Sequence, residues 1–481
     1  MTRALFARHV LAPPKYVRPF AGLYGKELQR VLALSRPRSI TPAQWLAVAC
    51  LFHVAALGLT WWQVSSRMML SGESGDGAVA LGRLAGLLVG SGVLLQLVLV
   101  SRLPWIEPSV GSDRLYRWHR RLGFGIGSLF LAHPALLTVG YARRDRLSVS
   151  QQFMEFAADW RIALAIAAFV LIALVVASST PMIRRRLSYE TWHGSHLGIY
   201  VALALASLHQ ANGAEIAGQT WWADYWVALH TAVLSCLVVF RAGRPILGCA
   251  RHRFRIDRIV PESDDVTSVY LTGRQLDRFR FRPGQYANVV FLSKGRWSPH
   301  PFSFSAAPNG QFLRVSIKAA GDFTNRVREL APGTLALLEG PLGAFTAAQP
   351  RGKYLMVAGG IGITPIRALI ESLAAAGRDI VLLYSVKTAN DLVFASELRA
   401  LMAHCHFILS RDSENGPGTE FETNVGHERG RIDLGMLTRL VPDVQDREVF
   451  ICGPPPMMKA VAAALGVLQV RQSSIHYEQF A

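Results

Sequence analysis

The sequence YETWHGSHLGIYVALALASLHQ, residues 189–210, decides the fold of this chain because it joins an apolar stretch to three histidines. The stretch is long enough to cross a bilayer, for which about 20 residues are needed. Its histidines are His193, His196 and His209. Histidine is rare inside membrane segments and usually faces the interior of a helix bundle, where it binds a group or relays protons. The stretch therefore predicts a membrane helix with a ligand site.

A second apolar stretch, WHRRLGFGIGSLFLAHPALL, carries His119 and His133. These two are 14 residues apart, nearly four helical turns, so they share about one face and stand ~20 Å apart along the axis. His196 and His209 are 13 residues apart, a similar height, although an ideal helix would rotate them apart by roughly 140°. Height therefore pairs His119 with His196 and His133 with His209. Two helices with a histidine near each end predict two stacked haems with bis-histidine ligation.

The choice of His196 over its neighbour His193 rests on height alone. Only His196 matches the position of the first histidine in the other stretch, and His193 stays open as an alternative. Isolated membrane histidines such as His53 and His230 are interpreted as core residues whose polar atoms are satisfied by the protein. Three glycines between the histidines of the other stretch would let a flat macrocycle approach the backbone: Gly123, Gly125 and Gly127.

The N-terminal half has the pattern of a membrane domain. Six apolar segments are near spanning length: 44–62, 78–100, 122–141, 162–179, 187–209 and 222–240. Clusters of Lys and Arg before the third and fifth segments and after the sixth fall on one side, which we take as cytoplasmic. One arginine-rich loop after the third segment, 143–146, would then lie outside. We predict a basic cytoplasmic arm over 1–41 and a six-helix transmembrane domain over 42–245.

Composition supports a membrane protein with a soluble part, because 51% of the 481 residues are hydrophobic. The net charge of +18 is spread over loops and flanks without a basic–aromatic stripe, which argues against nucleic-acid binding. The five cysteines are an odd number without CxxC spacing, so neither a disulfide framework nor a zinc or iron–sulfur site is indicated. The first 39 residues have no apolar core, so no cleavable signal peptide is evident.

The hydrophobic period changes to that of strands after residue 253. Short alternating runs (FRIDRIV, SVYLTG, YANVVF and LRVSIKA) predict a small antiparallel β-barrel over 249–349. Within it, HPFSFS (300–305) offers hydroxyls, backbone donors and aromatic rings, although an ordinary strand ending in a turn explains this run equally well. The sequence GDFT (321–324) opens a predicted helical segment, TNRVREL, whose first amides could bind pyrophosphate.

The last part of the chain, 352–481, predicts an α/β domain with a parallel sheet. A buried-strand pattern, KYLMVAGG, runs into GIGITP (360–365) and then a helix, so glycines and helix amides could approach a pyrophosphate. The motif ends GxGxxP, which differs from the ordinary dinucleotide fingerprint. A later strand ends in Cys452, Gly453 and Pro454. Ser385, Lys387, Ser410 and Arg411 follow the second and third strands, which favours NADPH over NADH because a guanidinium suits a 2′-phosphate.

The four-histidine pattern resembles the transmembrane domain of the ferric reductase and NADPH oxidase superfamily, whose members hold two b haems between the third and fifth of six helices. The HPFS, GIGITP and CGPPP motifs resemble the FAD and nucleotide domains of the ferredoxin–NADP reductase family. The chain is therefore similar to a bacterial member of this superfamily. The resemblance implies that iron is ligated by His119, His133, His196 and His209.

The same resemblance implies contacts for the other two cofactors. Those with FAD would be His300, Pro301, Phe302, Ser303, Ser305, Lys318, Gly321 and Thr324. Those with NADPH would be Gly360, Gly362, Pro365, Ser385, Lys387, Arg411, Gly453 and Pro454. Three residues would be catalytic: Cys452 beside the nicotinamide C4, Phe480 stacked on the flavin until nicotinamide takes its place, and Thr364.

The predicted function is transfer of electrons from cytoplasmic NADPH through FAD and two b-type haems to an acceptor on the outer face, dioxygen or ferric iron. Two alternatives are a reductase of ferric chelates, quinone or a periplasmic partner, and a haem-binding membrane subunit whose reductase half is inert. The intact HPFS, GIGITP and CGPPP motifs argue against the inert subunit. We expect an integral protein of a bacterial-type plasma membrane, with a small-molecule acceptor and no obligatory protein partner evident.

Overall fold

The structure, a computed structural model, describes residues 42–217, 220–293, 299–347, 352–411 and 427–480. The basic arm expected over 1–41 lies outside the described residues. The described chain divides into two compact units. One contains the residues up to 250, with the long apolar helices, together with residues 342–344. The other contains the remaining residues from 251 onward, with the strands.

The first unit is helical, as its apolar segments predict. Its helices are α1 (Pro42–Leu70), α2 (Asp76–Val100), α3 (Ser112–Arg144), α4 (Val149–Ala158), α5 (Trp160–Ser179), α6 (Tyr189–Ala211) and α7 (Thr220–Cys236). The last helix continues through a π-helical turn, Leu237–Gly243, into α8 (Arg244–His252). Residue 249, where the predicted β-barrel domain begins, therefore lies in a helix. Four-residue helices lie in three connections: Glu107–Val110, Pro181–Arg184 and Ala214–Ala217.

Five of the described helices are long and apolar enough to cross a membrane: α1, α2, α3, α5 and the continuous helix from α7 to α8. The helix α6 occupies the predicted fifth segment and is 23 residues long. It is not among the five, because its three histidines and other polar side chains lower its mean hydropathy. The described residues thus contain five apolar helices of spanning length and one more polar long helix.

Polar side chains set where α4, α5 and α6 begin. The Ser148 hydroxyl accepts a hydrogen bond from the Gln151 amide at 3.2 Å, and the Gln151 side chain accepts one from the Ser148 amide at 2.9 Å. Asp159 caps α5 through the Arg161 amide at 2.8 Å. Ser188 caps α6 through the Thr191 amide at 3.1 Å. Each cap satisfies an amide that the first helical turn leaves without an intrahelical partner.

The helices pack as two close pairs, α2 with α3 and α5 with α6. Small residues allow the first approach: a Cβ atom on Gly140 would lie 2.7 Å from the Val79 side chain, and one on Gly82 would lie 3.0 Å from that of Leu137. Close backbone approach at small residues is the usual basis of helix association in membranes, where lipid removes the hydrophobic driving force. Helices α3 and α6, which carry the four histidines, therefore each pack along a different neighbour.

The second unit begins with two three-stranded sheets. The strands are β1 (Arg255–Pro261), β2 (Val266–Thr272), β3 (Tyr286–Phe291), β4 (His300–Ser303), β5 (Leu313–Lys318) and β6 (Ala336–Leu342). One sheet has the order β1-β2-β5, with antiparallel pairs, and the other has the order β4-β3-β6, in which β3 and β4 are antiparallel. Alternate residues of β3 are buried, as its sequence period predicts. Both sheets contribute to one apolar core that includes Phe254, Phe291 and Phe304.

A parallel sheet follows, as the sequence predicts. Its strands are β7 (Lys353–Gly359), β8 (Asp379–Val386), β9 (His404–Leu409), β10 (His427–Arg429), β11 (Arg447–Cys452) and β12 (Ile475–Glu478), in the order β10-β9-β8-β7-β11-β12. The helices between them are α9 (Ile363–Ala375), α10 (Ala395–Leu401), α11 (Leu434–Leu440) and α12 (Pro455–Val467). The strand order reverses between β7 and β11. Ligands of open α/β sheets bind at such a point, outside the carboxyl ends of the strands.

Candidate functional site

The structure brings the four predicted ligand histidines together in two pairs. The ring of His119 on α3 lies 6.2 Å from that of His196 on α6, centre to centre, with the planes at 68°. The ring of His133 lies 6.0 Å from that of His209, with the planes at 56°. The pairing is therefore the one that helix height predicts. Helix α6 is continuous between His196 and His209. Differences in the direction of the two side chains therefore compensate for the rotation between these positions on the helix.

In three of these four rings, the nitrogen Nδ1 is turned toward the protein. Nδ1 of His133 lies 2.8 Å from the carbonyl oxygen of Gly82, which can only accept, so Nδ1 carries the proton. Nδ1 of His196 lies 3.3 Å from the hydroxyl oxygen of Ser179. Nδ1 of His119 is buried beside the Gln96 backbone and makes no hydrogen bond of good geometry with the described residues. A partner on Nδ1 orients the ring and leaves Nε2 for a metal.

Two glycines of α2 position His133, and the sequence analysis did not identify them. Gly82 provides the carbonyl acceptor. A Cβ atom on Gly86 would lie 2.6 Å from two atoms of the His133 ring, so only glycine leaves room for the ring there. The signal in the sequence is the spacing, since Gly82, Gly86 and Gly90 recur every four residues along one helix face.

The part of α3 between its histidines is open at two of the predicted glycines. A Cβ atom on Gly125 or Gly127 would meet no atom within 4 Å, whereas one on Gly123 would approach the Gln96 side chain at 3.0 Å. Since α3 packs along α2 and α6 along α5, the facing rings are not held by direct packing of their own helices. The arrangement leaves room for a flat group beside α3.

The other membrane histidines have protein partners. His53 contacts the Tyr225 hydroxyl at 2.7 Å and the Ser91 hydroxyl at 2.9 Å, and Nδ1 of His230 contacts the Trp226 carbonyl at 2.9 Å. The ring of His193 lies beside Trp192, 6.4 Å away. Among the described residues, no group of three or more His, Cys, Asp or Glu side chains could hold a metal ion. A metal at the histidine pairs would therefore need further ligands from a cofactor.

The strand β4, predicted to lie along FAD, presents a flat aromatic surface. The His300 ring stacks on Phe323 at 4.1 Å with an angle of 18°, and Phe302 lies parallel to Phe323 at 6.3 Å. Pro301 is exposed and Ser303 is buried. Phe323 was quoted in the GDFT motif without a role of its own, and its stacking shows how β4 and the turn after β5 meet.

The predicted phosphate residues Lys318 and Thr324 have local partners. Lys318 Nζ lies 2.9 Å from an Asp265 carboxylate oxygen. Burial raises the pKa of Asp265, but Lys318 and Ser263 lower it more, so the net shift is downward. The Thr324 hydroxyl accepts hydrogen bonds from the amides of Ala320 and Gly321, at 2.8 and 2.9 Å. These contacts stabilise the turn after β5.

Two expectations for this region are corrected. The predicted helical segment TNRVREL is one helical turn, Asp322–Asn325, followed by a 3₁₀ turn, Val327–Glu329, because the chain turns back at Leu330. It is too short to form an anion site from helix amides. The side chain of Ser305 is fully buried and its hydroxyl lies 2.7 Å from that of Ser316, so it faces the protein core rather than a cofactor.

The motifs GIGITP and CGPPP meet at the carboxyl edge of the parallel sheet. A Cβ atom on Gly362 would lie 2.2 Å from the Cys452 carbonyl oxygen, and one on Gly453 would lie 2.9 Å from the Gly359 Cα. Glycine is therefore required where the two loops cross. Gly360 has a φ of +52°, which also favours glycine. The site lies where the strand order reverses, as expected for a nucleotide.

The remaining predicted nucleotide and catalytic residues lie around this edge. Pro365 lies in the first turn of α9, and Pro454 directly precedes the first residue of α12. The Thr364 hydroxyl donates to the Ile361 carbonyl at 3.0 Å. Cys452 is fully buried, and it pairs with Glu478, two residues before the partly exposed Phe480. Ser385 ends the β7–β8 pairing, and the Arg411 amide donates to the Lys387 carbonyl at 3.0 Å, which brings those two loops together.

Sequence models of three protein families match the chain. The first, described as a ferric reductase like transmembrane component, matches residues 85–207. An FAD-binding domain matches residues 253–336, and an oxidoreductase NAD-binding domain matches residues 356–463. The first match includes α3 and most of α6, with His119, His133 and His196, and it ends two residues before His209. The other two include β4 and the GIGITP and CGPPP motifs.

Several curated proteins resemble the chain. A glycine betaine monooxygenase reductase subunit of Chromohalobacter salexigens is 29% identical over 243 residues, 48% of this chain and 64% of that protein. An NADPH oxidoreductase of Mycobacterium tuberculosis is 27% identical over 250 residues, 49% of this chain and 62% of that protein. A flavohemoprotein of a Burkholderia species is 29% identical over 301 residues, 59% of this chain and 75% of that protein. The first two matches thus cover less than two thirds of those proteins.

Solved structures also match this chain in part. The FAD/NAD-binding domain of a nitric oxide dioxygenase from Vibrio cholerae has a TM-score of 0.41 and 23% identity. The match covers 47% of this chain and 98% of that domain. A flavohemoglobin from Malassezia yamatoensis has a TM-score of 0.43 and 16% identity, over 89% of this chain and 98% of that protein.

Proposed function

Because this chain belongs to the ferric reductase-like superfamily and carries FAD- and NAD-binding reductase domains, we propose that it is a transmembrane electron carrier. Electrons from cytoplasmic NADPH pass through FAD and two b-type haems to an acceptor on the outer face, dioxygen or ferric iron. The apolar helices and the reductase domains make it a membrane oxidoreductase. The haems, the orientation and the acceptor are the parts that we propose.

The two histidine pairs carry the proposal. Two metal–imidazole bonds of ~2 Å each, with half a ring at either end, span roughly 6 Å. The observed separations of 6.2 and 6.0 Å between ring centres agree with this length. A porphyrin would supply the four remaining iron ligands, which agrees with the absence of larger ligand groups among the described residues. The His133–Gly82 hydrogen bond and the open positions at Gly125 and Gly127 also fit a planar group between the rings.

The proposed membrane domain has six spans, with α6 as the fifth. This topology leaves the arginines at the start of α3, those before α6 and those after α7 on one side, which the positive-inside rule makes cytoplasmic. His119 and His196 then form the inner pair, and His133 and His209 form the outer pair. The reductase module follows α8 on the cytoplasmic side, where NADPH is available.

The two three-stranded sheets are proposed to form one FAD-binding barrel. The bridges Arg255–Leu335 and Phe304–Val315 between them support this. When bound, FAD accepts a hydride and releases single electrons, and each haem iron carries one electron at a time. The chain holds these groups through the aromatic surface of β4, the glycines of the GIGITP and CGPPP loops, and the four histidines. We propose that Phe480, near the edge that also carries Cys452, covers the flavin until nicotinamide arrives.

A reductase of ferric chelates is the second candidate, and one observation favours it. Arg143, Arg144 and Arg146 at the end of α3 are exposed and would lie on the outer face. A positive surface there attracts anionic chelates and raises their local concentration. His133 and His209 would both ligate the outer iron and leave it no open position, so either acceptor would be reduced at the edge of the haem.

The absorbance spectrum of the detergent-purified protein with FAD tests the proposal. We expect NADPH to produce reduced b-type haem bands under anaerobic conditions. Bands that vanish on admission of air, with superoxide trapped in proportion, would assign dioxygen as the acceptor. Bands that persist in air and vanish on addition of a ferric chelate would assign iron. A protein without haem bands would contradict the role of the histidine pairs, and one that does not oxidise NADPH would have an inert reductase half.

A further inference from the structure

Two buried arginines lie where the two three-stranded sheets of the predicted FAD domain meet the parallel sheet and its helices. Arg314 on β5 is 3% exposed and Arg367 on α9 is 7% exposed. Arg314 pairs with Glu397 on α10, and Arg367 pairs with both Glu397 and Glu371, which lies on α9. We call these four residues the arginine–glutamate cluster. Its formal charges cancel, with two cations against two anions.

Glu397 joins the two arginines. Its Oε1 lies 3.0 Å from Nη1 of Arg314, and its Oε2 lies 2.8 Å from Nε of Arg367. Burial raises the pKa of Glu397, but the two guanidinium groups lower it more, so the carboxylate stays ionised at neutral pH. Planar guanidinium groups fix the direction of such hydrogen bonds, which a lysine would not.

The cluster also binds the backbone directly after β4, the strand that is predicted to lie along FAD. The Ser305 carbonyl accepts hydrogen bonds from Arg314 Nη2 at 2.8 Å and from Arg367 Nη1 at 3.0 Å. The Ala307 amide donates to Glu371 Oε2 at 2.7 Å. Two of these charge-assisted hydrogen bonds, from Arg367 and to Glu371, hold residues 305–307 against α9, and the one from Arg314 links Ser305 to β5. Such bonds are stronger than neutral ones.

The cluster joins segment 305–307, next to the predicted flavin-binding residues, to helix α9, next to the predicted nucleotide-binding residues. Segment 305–307 continues β4, whose His300 and Phe302 belong to the aromatic surface. Helix α9 begins immediately after the glycines of GIGITP, and Arg367 and Glu371 lie in its second and third turns. Buried ion pairs contribute little net stability compared with apolar residues of the same size, but they can specify one geometry. The position of the arginine–glutamate cluster therefore suits a role in aligning segment 305–307 with α9.

We propose that the arginine–glutamate cluster is a positioning device, which holds segment 305–307 against α9 and so aligns nicotinamide with flavin. This inference rests on the proposed function. The step it serves breaks the C4–H bond of NADPH and forms a bond from that hydrogen to N5 of FAD; two electrons move with it, oxidising NADPH to NADP⁺. A misplacement of about 1 Å from a distant change can slow such a step by ~100-fold.

The test uses the full-length, detergent-purified protein with Arg367→Met and Glu397→Gln, separately and together. We expect flavin reduction by NADPH to be ~10- to 100-fold slower, with a larger effect on the limiting rate than on NADPH affinity. The deuterium isotope effect with NADPH labelled at C4 should rise, because hydride transfer becomes more rate-limiting. Oxidation by ferricyanide of flavin reduced with dithionite should not change. The double variant should be no slower than the single ones, because the residues act as one unit.

A second readout does not need the loaded enzyme. In the FAD-free protein, amide hydrogen exchange should accelerate in residues 305–307 and in α9 of Arg367→Met. Arg367→Lys keeps the charge without the planar fork, so it should show a smaller change in the same direction. The matched control is Arg439→Met, which removes an exposed arginine of α11 that pairs with Glu428 on β10 at 2.8 Å. It should behave as wild type.

The outcomes separate the two proposals. Variants that fold, bind FAD and reduce it within about twofold of the wild-type rate would overturn the positioning role. So would variants that only lose stability or FAD, with an unchanged isotope effect. A wild-type protein whose flavin is not reduced by NADPH would instead contradict the proposed function, and the exchange experiment would still show whether the cluster holds the segment.

Discussion

The His133 side chain is fixed from three sides. Nδ1 donates to the Gly82 carbonyl, the ring lies against Gly86, and its other face looks toward His209. A ring held in this way loses little further freedom when it binds a metal, because its orientation and tautomer are already set. His196 has a longer contact of the same kind with Ser179. In both rings, a contact at Nδ1 leaves Nε2 as the nitrogen that is available to bind a metal.

Substitution of single histidines tests the pairing. We expect His196→Leu and His209→Leu each to lower the content from about two haems per chain to about one, because each removes an axial ligand. His193→Leu should keep both haems, since the ring that faces His119 at 6.2 Å is that of His196. The haem-to-protein ratio of purified variants gives the answer. Loss of a haem in His193→Leu, with retention of both in His196→Leu, would reverse the assignment.

The sequence could predict the four histidines, since their spacing is a matter of helical rise. It could not decide between His193 and His196 by rotation, because ring direction depends on side-chain torsions that spacing does not contain. The partners of the rings were also missed, since Gly82, Gly86 and Ser179 lie on other helices. Ser305 was assigned to the cofactor by its motif, and its burial against Ser316 depends on how the two sheets meet.

At the scale of elements, the contact between α2 and α3 decides whether the outer pair can form. Gly86 lies where the backbone of α2 passes the His133 ring, and no other side chain fits there without moving the ring or the helix. Because α2 and α3 also approach at Gly82 and Gly140, the helices have little room to separate. The glycines of α2 therefore matter for ligand geometry as well as for packing.

We predict that Gly86→Val removes the outer haem while leaving the inner one, because its side chain would displace His133. The absorbance spectrum and the haem-to-protein ratio should both fall to about one haem per chain. Gly58→Val is the matched control, since a Cβ atom there meets nothing within 4 Å and the same helix-propensity cost applies. A Gly86→Val protein that keeps two haems with unchanged spectra would show that His133 does not depend on this approach.

The elements of the reductase half were predictable where the pattern is long and regular. The alternation of β3 and the buried strand β7 before GIGITP correspond to the observed strands. The helix after residue 321 was overestimated, because Arg and Glu at helical spacing are also compatible with a single turn at the surface. The arginine–glutamate cluster was not foreseen, since Arg314, Arg367 and Glu397 are far apart in the sequence and meet only in the folded unit.

At the scale of the whole chain, sequence and structure agree on a helical half and a reductase half. The sequence predicts six spans by length, and the described residues give five apolar helices and the more polar α6. The difference comes from the histidines, because the residues that provide the ligands also reduce the hydropathy of their helix. The chain thus accepts a less apolar helix at the position where its proposed cofactors would bind.

This polarity has a consequence for biogenesis. Helix α6 would carry three imidazoles into hydrocarbon if it entered the bilayer alone, whereas α5 has a mean hydropathy of 2.8 and directly precedes it. Since α5 and α6 pack along each other, we expect them to insert as a hairpin, with α5 as the anchor. In a translation–insertion assay, α6 alone should enter membranes poorly and the α5–α6 pair efficiently. Equal insertion of both would show that α6 needs no help from its neighbour.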